Sequence, residues 1–188
     1  MMDYNNNILV YDGLLTTFQE DYFHSIIFGK TDLAQNQEVQ PLVDFTVKYE
    51  LTAQEGEHIP MSLMHILKSS PKLSPFLETF SRIPIRVCEH VNKFLQDIMI
   101  GRIWLTFPYK TDLDHAKPHT DFGFPHWVVL YYVNDSDGDT VFFDDNNNEV
   151  KRVTPKKGRI VLFNGSIMHS GGIPKHNPRC VINFDIII

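Results

Sequence analysis

Six short apolar runs fill the second half of the chain: IMIGRIWLTF (98–107), HWVVLYYVN (126–134), DTVFF (139–143), EVKRVT (149–154), GRIVLFN (158–164) and RCVINFDIII (179–188). Turn chemistry separates them at Asp135-Ser-Asp-Gly138, Asp144-Asp-Asn-Asn-Asn148, Pro155-Lys-Lys-Gly158 and Gly171-Gly-Ile-Pro174. Runs rich in β-branched and aromatic residues and bounded by Gly, Pro, Asn and Asp read as strands. Several at this spacing predict an antiparallel sandwich or barrel. In the last run a period of two puts Arg179, Val181, Asn183 and Asp185 on one face, and Cys180, Ile182, Phe184 and Ile186 on the other.

Upstream of Ile98 the period changes. Thr17-Phe-Gln-Glu20 has the form of a capping box ahead of Tyr22, Phe23, Ile26 and Ile27, which predicts an amphipathic helix stopped by Gly29. A second helical pattern runs from Ser74-Pro75 through Phe76, Leu77, Phe80, Ile83, Val87, Val91, Phe94 and Leu95, with Pro84 as a break or kink. Between them, residues 31–41 are polar and unpatterned, and residues 45–51 alternate like a strand. No linker divides the 188 residues, so the expectation is one domain, 1–188: a helical and irregular support region (1–97) packed on one face of a β core (98–188). The fold class expected is mainly β with flanking helices (α+β).

Composition narrows the function. At 43% hydrophobic residues the chain has enough apolar material for one well-filled core. Its 17 Lys and Arg against 23 Asp and Glu give a net charge of −6, which repels polyanions, so general nucleic-acid binding is not expected. Cys88 and Cys180 stand far apart without a CxxC pair, which points to a reducing, cytoplasmic setting and no disulfide. The N-terminus lacks a basic region ahead of an apolar run, and no stretch approaches the roughly 20 apolar residues of a spanning helix, so neither secretion nor membrane insertion is expected.

Of nine histidines, His119 is the informative one. His119-Thr-Asp121 places an imidazole and a carboxylate two residues apart, on the same face of an extended backbone. Alone the pair is weak. His169 lies 48 residues beyond Asp121, after the strand-like 158–163, and in a sandwich such distant strands face each other. Two histidines and one carboxylate on one face of an ion make the facial triad of non-haem Fe(II) oxygenases. Ten residues further, Arg179 opens the last strand on its less apolar face, where a guanidinium needs a partner such as a bound carboxylate.

With these residues in this order, the chain resembles the 2-oxoglutarate- and Fe(II)-dependent oxygenases, within their prolyl-4-hydroxylase-like branch. The similarity spans about Ile98 to Ile188, including the strand 128–134, Gly138-Asp-Thr140, the 158–163 strand, His169 and Arg179. The resemblance implies a double-stranded β-helix (jelly-roll) core and iron held by His119, Asp121 and His169. It also implies that 2-oxoglutarate pairs through its distal carboxylate with Arg179, and that Tyr132 hydrogen-bonds the same carboxylate. Tyr109 stands where relatives carry a tyrosine lining the cosubstrate pocket, with Phe107 as the alternative occupant. The implied reaction uses Fe(II), 2-oxoglutarate and O2 to hydroxylate an unactivated C–H bond, with succinate and CO2 as co-products. A prolyl or other protein side chain, or a small molecule, is the implied substrate.

The remaining candidates read more plainly. His115 and His126 flank the triad without completing a pattern and are expected to be solvated or on the substrate side. His176, three residues before Arg179, belongs to a turn. The acidic and basic hairpins around Asp135, Asp137, Asp139, Asp144, Asp145 and Glu149 lack the Gly position and closing Glu of a calcium loop, and read as solvated turns. The alternative to an oxygenase is a cupin-like isomerase or a ligand-binding jelly roll using the same ligands. Substrate identity and oligomeric state are not encoded in any motif.

Overall fold

The structure, a computed structural model, describes residues 4–32, 37–39, 41–48 and 61–188. In chain order its elements are α1 (Tyr4–Asn7), β1 (Ile8–Tyr11), α2 (Thr17–Phe28), β2 (Lys30–Asp32), β3 (Gln37–Val39), β4 (Thr46–Lys48), β5 (Ser62–Ser69), β6 (Lys72–Leu73), α3 (Leu77–His90), β7 (Asp97–Thr106), β8 (Trp127–Tyr132), β9 (Thr140–Phe143), β10 (Glu149–Val153), β11 (Ile160–Asn164), β12 (Met168–Gly171) and β13 (Arg179–Ile187). The major sheet runs β1-β11-β8-β13-β7-β5-β4, with β6 on β5; a minor sheet runs β10-β9-β12, and β2 pairs with β3.

The period-two reading sorts the central strands onto two cores. Val129 and Tyr131 of β8, Ile160 and Leu162 of β11, and Cys180, Ile182 and Phe184 of β13 pack with Phe23 and Ile27 of α2 and Phe80, Ile83 and Val87 of α3. Val128, Leu130, Tyr132, Val161, Phe163 and Val181, one residue out of step, pack with Phe142 of β9 and Val153 of β10. Two sheets therefore face each other across the second cluster, and the helices cover the outer face of the major sheet: a jelly roll with its helical layer on one sheet. Each of these aromatic and branched side chains contributes roughly 1.5–3 kcal/mol by leaving water. The buried faces explain why these strands read as nearly unbroken apolar runs.

Four expectations need correction. The 1–97 region is more than helical and irregular support: β1 pairs with β11 and β5 with β7, so it extends the major sheet on both sides. The capping box of α2 sits one residue earlier, with Thr16 as N-cap accepting from the Gln19 backbone and the Gln19 side chain accepting from the Thr16 backbone N–H. The helix α3 passes through Pro84 unbroken but stops at His90, before Phe94 and Leu95. Asn92 takes the left-handed conformation at φ 54, its N–H donating to Glu89 O and that of Lys93 to Cys88 O, a Schellman closure. Finally, the polar segment expected to be unpatterned contains β2 and β3. Of the strand expected over 45–51, residues 46–48 form β4 against β5, and 49–51 lie outside the described residues.

Cys88 and Cys180 are buried free thiols. Among the described residues no helix is long and apolar enough to cross a membrane.

Candidate metal and cosubstrate site

The site lies between the two sheets, where the loop from β7 to β8 crosses the end of β12. His119, in that loop, and His169, on β12, form a β-bridge in which each backbone N–H donates to the other's carbonyl at 2.9 Å. Their rings follow, with centroids 4.9 Å apart, and the His169 ring stands edge-on to Phe163 at 4.8 Å. Asp121, two residues on, brings Oδ2 to 3.5 Å from His169 Nε2. One ligand atom from each of the three lies within 4.8 Å of the others.

The tautomers are set by the backbone. His169 Nδ1 lies 3.0 Å from Ile167 O and His119 Nδ1 lies 3.2 Å from Lys117 O. Because a carbonyl only accepts, each Nδ1 carries the proton and each Nε2 keeps its lone pair for a cation. Burial lowers the His119 pKa, as does the neighbouring His169, which favours the neutral ligand form. Burial alone would raise the Asp121 carboxyl, but the closeness of His169, then His119 and Arg102, holds it at about 2. Asp121 Oδ2 is buried with no hydrogen-bond partner. An orphaned carboxylate oxygen facing two imidazole lone pairs fits a divalent ion.

Arg179 opens β13 on the same inner face and is only 7% exposed. Its Nε donates to Gly138 O and its Nη2 to Thr140 Oγ1, both at 2.8 Å. Among the described residues no carboxylate lies within ion-pair distance of it, so a buried guanidinium is left without a counter-charge. Burial depresses its pKa, and that cost is relieved by an anion. Gly171 lies against the guanidinium: a Cβ there would sit 3.4 Å from Nη1.

Tyr132 is fully buried beneath this group, its ring 5.9 Å from the guanidinium carbon. Its hydroxyl donates to Thr140 Oγ1 at 2.7 Å, so Thr140 accepts from Tyr132 and Arg179 together and keeps its own proton to give. Thr140 is a pocket residue that residue type and spacing in Gly138-Asp-Thr140 do not signal, since its role depends on its contacts with Tyr132 and Arg179. Tyr109 is half-buried and tied by its backbone N–H to Pro174 O at 3.1 Å. Phe107 packs against the helix-side core instead.

The flanking histidines divide. His115 packs on Phe143 at 5.0 Å and bridges Gly172 through its backbone. His126, expected to be solvated or substrate-side, is buried at 3% exposure, because Gly165 leaves room for its ring. The turn carrying His176 is held by Asp137, whose carboxylate accepts from the backbone N–H of Lys175, His176 and Asn177. Asp144 likewise caps its hairpin through Asn146 and Asn148. These acidic residues cap turns, as the solvated-turn reading required. Arg152 joins Glu149 of β10 to Asp114 in the β7–β8 loop, both at 2.7 Å, and so tethers the segment that carries His119.

Residues 106–184, which hold all of these groups, match the family model described as the 2OG-Fe(II) oxygenase superfamily. The match covers less than half of the chain, its β-core part, and supports a 2-oxoglutarate-dependent dioxygenase that uses Fe(II), 2-oxoglutarate and O2. The fold agrees at low identity. An oxidoreductase of the 2OG-Fe(II) oxygenase family from Burkholderia pseudomallei is 9% identical, with a TM-score of 0.72 over 97% of this chain and 86% of its own. A Trichoplax adhaerens prolyl hydroxylase, in complex with a hypoxia inducible factor oxygen degradation domain peptide, is 12% identical, with a TM-score of 0.65 over 98% of this chain and 84% of its own. The epimerase SnoN from nogalamycin biosynthesis is 13% identical, with a TM-score of 0.62 over 98% of this chain and 79% of its own. A search of curated sequences found no significant match.

Proposed function

We propose that His119, Asp121 and His169 hold the ferrous ion of this oxygenase, that Arg179 pairs with the distal carboxylate of 2-oxoglutarate, and that the enzyme hydroxylates an unactivated C–H bond. Residues 1–188 act as one domain in this reading, with β1 and β5 completing the sheet behind the site. The observation that carries it is the pairing, on one inner face, of three convergent ligand side chains with a buried guanidinium that has no counter-charge. When bound, iron with 2-oxoglutarate and O2 supplies oxidative decarboxylation to succinate and CO2 and the oxidising power for hydroxylation.

The chain's own residues bind and orient. His119 and His169 offer Nε2 because Lys117 and Ile167 hold their Nδ1 protons. Asp121 offsets one of the metal's positive charges. Arg179 gives the cosubstrate a charge-assisted pair, and Thr140, already accepting from Arg179 and Tyr132, turns its own proton toward the same carboxylate. Tyr132 thus acts through Thr140 as well as by packing under the guanidinium, and Tyr109 is kept as the candidate tyrosine of the cosubstrate pocket. For substrate we favour a prolyl or other peptidyl side chain. The support is the prolyl hydroxylases among the structural neighbours, one of them in complex with a peptide.

The test is anaerobic addition of Fe(II) and 2-oxoglutarate, followed by succinate release over a panel of prolyl peptides, free amino acids and small metabolites. A visible absorption band that needs both additions, with succinate release raised by a peptide, is expected. Binding of metal without the band, or succinate release that no peptide raises, overturns the cosubstrate or the substrate part respectively.

A further inference from the structure

The inner face of the major sheet continues past the metal ligands, and it carries a second arginine. Arg102 of β7 stands opposite Asn183 of β13 and Ile66 of β5, and alternation along β13 puts Asn183 on the face of Arg179 and Asp185. Trp104, two residues along β7, packs on the cluster between the sheets; Arg102 and Asn183 lie beyond that cluster, both half-buried. Asp185, next to Asn183 on the same face, brings an oxygen within 4.8 Å of one on Asp121. The charge of Arg102 accordingly acts on His119, Asp121 and Asp185.

Neither Arg102 nor Asn183 is satisfied by the chain. Among the described residues the Arg102 guanidinium makes no hydrogen bond and no ion pair, and Asn183 Oδ1 is buried without a hydrogen-bond partner. Side chains opposite each other on one face of a sheet are within reach, yet this donor and this acceptor do not meet. A ligand that accepts at the guanidinium and donates at the amide oxygen relieves the desolvation of both. The planar fork of an arginine matches a carboxylate, and the register neighbours Asn183 and Ile66 bring no second positive charge for a phosphate dianion. Arg179, assigned to the distal carboxylate of the cosubstrate, pairs in register with Thr106, four positions along β7 from Arg102. That is roughly 13 Å along the strand, which leaves Arg102 to a different acid.

We propose that Arg102 and Asn183 recognise the substrate, and that the substrate carries a carboxylate, held by Arg102, with a neighbouring N–H given to Asn183 Oδ1. The proposal rests on the assignment of His119, Asp121, His169 and Arg179 above, and narrows the peptidyl substrate to one with an acid group beside the oxidised residue.

The experiment compares matched acid and amide probes on the full chain: an acetylated prolyl peptide amide with Asp or Asn beside the proline, and free proline against prolinamide. Binding is read by calorimetry on the protein loaded with Mn(II) and 2-oxoglutarate, and turnover by succinate release with Fe(II). In at least one pair the acid should bind about tenfold or more tighter than its amide and raise succinate release further. A preference in the peptide pair assigns the carboxylate to a side chain, and one in the proline pair assigns it to a chain end. Arg102→Met, which keeps an apolar stem and removes the charge, should bring acid and amide level while 2-oxoglutarate affinity stays within about twofold, and Arg102→Lys should keep part of the preference. No preference in either pair, in a protein that shows the visible band with Fe(II) and 2-oxoglutarate, overturns the proposal and leaves the site assignment standing. So does a preference that survives Arg102→Met. A fall of about tenfold in 2-oxoglutarate affinity in that variant, without an acid preference in the unaltered protein, gives Arg102 to the cosubstrate and overturns the proposal too. Absence of the band in the unaltered protein overturns the site assignment and this proposal together. The ratio of acid to amide binding is measured on the unaltered protein, so a variant that fails to fold does not shield the proposal.

Discussion

His119 and His169, 50 positions apart in the sequence, exchange both backbone hydrogen bonds at 2.9 Å. The backbone thus fixes the separation of the two imidazoles before any ion arrives. A preorganised ligand pair loses little freedom on binding, so affinity should depend sharply on each ring.

His169→Ala is therefore expected to abolish measurable Fe(II) or Mn(II) binding in calorimetry, whereas His176→Ala should leave it unchanged. The backbone of His176 belongs to the turn capped by Asp137, and its ring contributes nothing to the triad. Loss of binding in His176→Ala with retention in His169→Ala would reverse the ligand assignment.

Arg179→Ala should raise the dissociation constant for 2-oxoglutarate roughly 100-fold or more while metal affinity changes little, since it removes a charge-assisted partner and no ligand. Thr140→Val removes the oxygen shared by Arg179 and Tyr132, and about a tenfold loss is expected from one hydrogen bond to a charged acceptor. Tyr132→Phe should be milder still. Calorimetric titration of 2-oxoglutarate into the Mn(II)-loaded variants gives the order, and an Arg179→Ala protein with unaltered affinity would move the cosubstrate elsewhere.

The inner face of β13 shows how far the sequence could be read. Alternation alone set Arg179, Val181, Asn183 and Asp185 on one side, and the structure keeps that parity, because a strand buried on both faces cannot slip by one residue without exchanging its whole core. The jelly-roll strands were legible for this reason, whereas the set His119, Asp121, His169 and Arg179 rests on the family resemblance and not on alternation. Helix ends were less so: Asn92 closes α3 by a left-handed turn that the apolar pattern through Leu95 overrides on paper. The strand β5 was missed because His65 and Lys68 interrupt its alternation. His65 is nonetheless satisfied on both nitrogens, by Asp44 O and Ser74 Oγ, a pairing no local pattern reveals. The burial of His126, expected to be solvated or on the substrate side, is hidden for a similar reason, since it depends on Gly165, 39 residues away in the sequence.

Gly165→Ala tests that dependence. A Cβ at 165 overlaps the His126 ring, and overpacking of this kind costs roughly 1–3 kcal/mol. Removing the ring with His126→Ala should relieve much of that cost, so the two substitutions together should be less destabilising than their separate effects predict. Urea unfolding of the four proteins measures the coupling, and strict additivity would mean that the glycine serves something other than His126.

The metal-free protein should also lose stability as pH rises through neutrality, on account of Asp185. Burial, and then the charge of Asp121, push its carboxyl up to about 8, while in the unfolded chain it titrates near ~4. Between these values the unfolded state binds fewer protons than the folded one, so stability falls with increasing pH, and the loss is complete above the folded value. Each unit of difference corresponds to roughly 1.4 kcal/mol, which puts the full effect on the order of several kcal/mol. Asp185→Asn, which cannot ionise, should flatten this part of the profile and raise stability at alkaline pH while changing it little near pH ~4. Urea unfolding with a chelator present, across that range, makes the comparison. Parallel profiles for the two proteins would show that Asp185 ionises in the folded state as readily as in the unfolded chain.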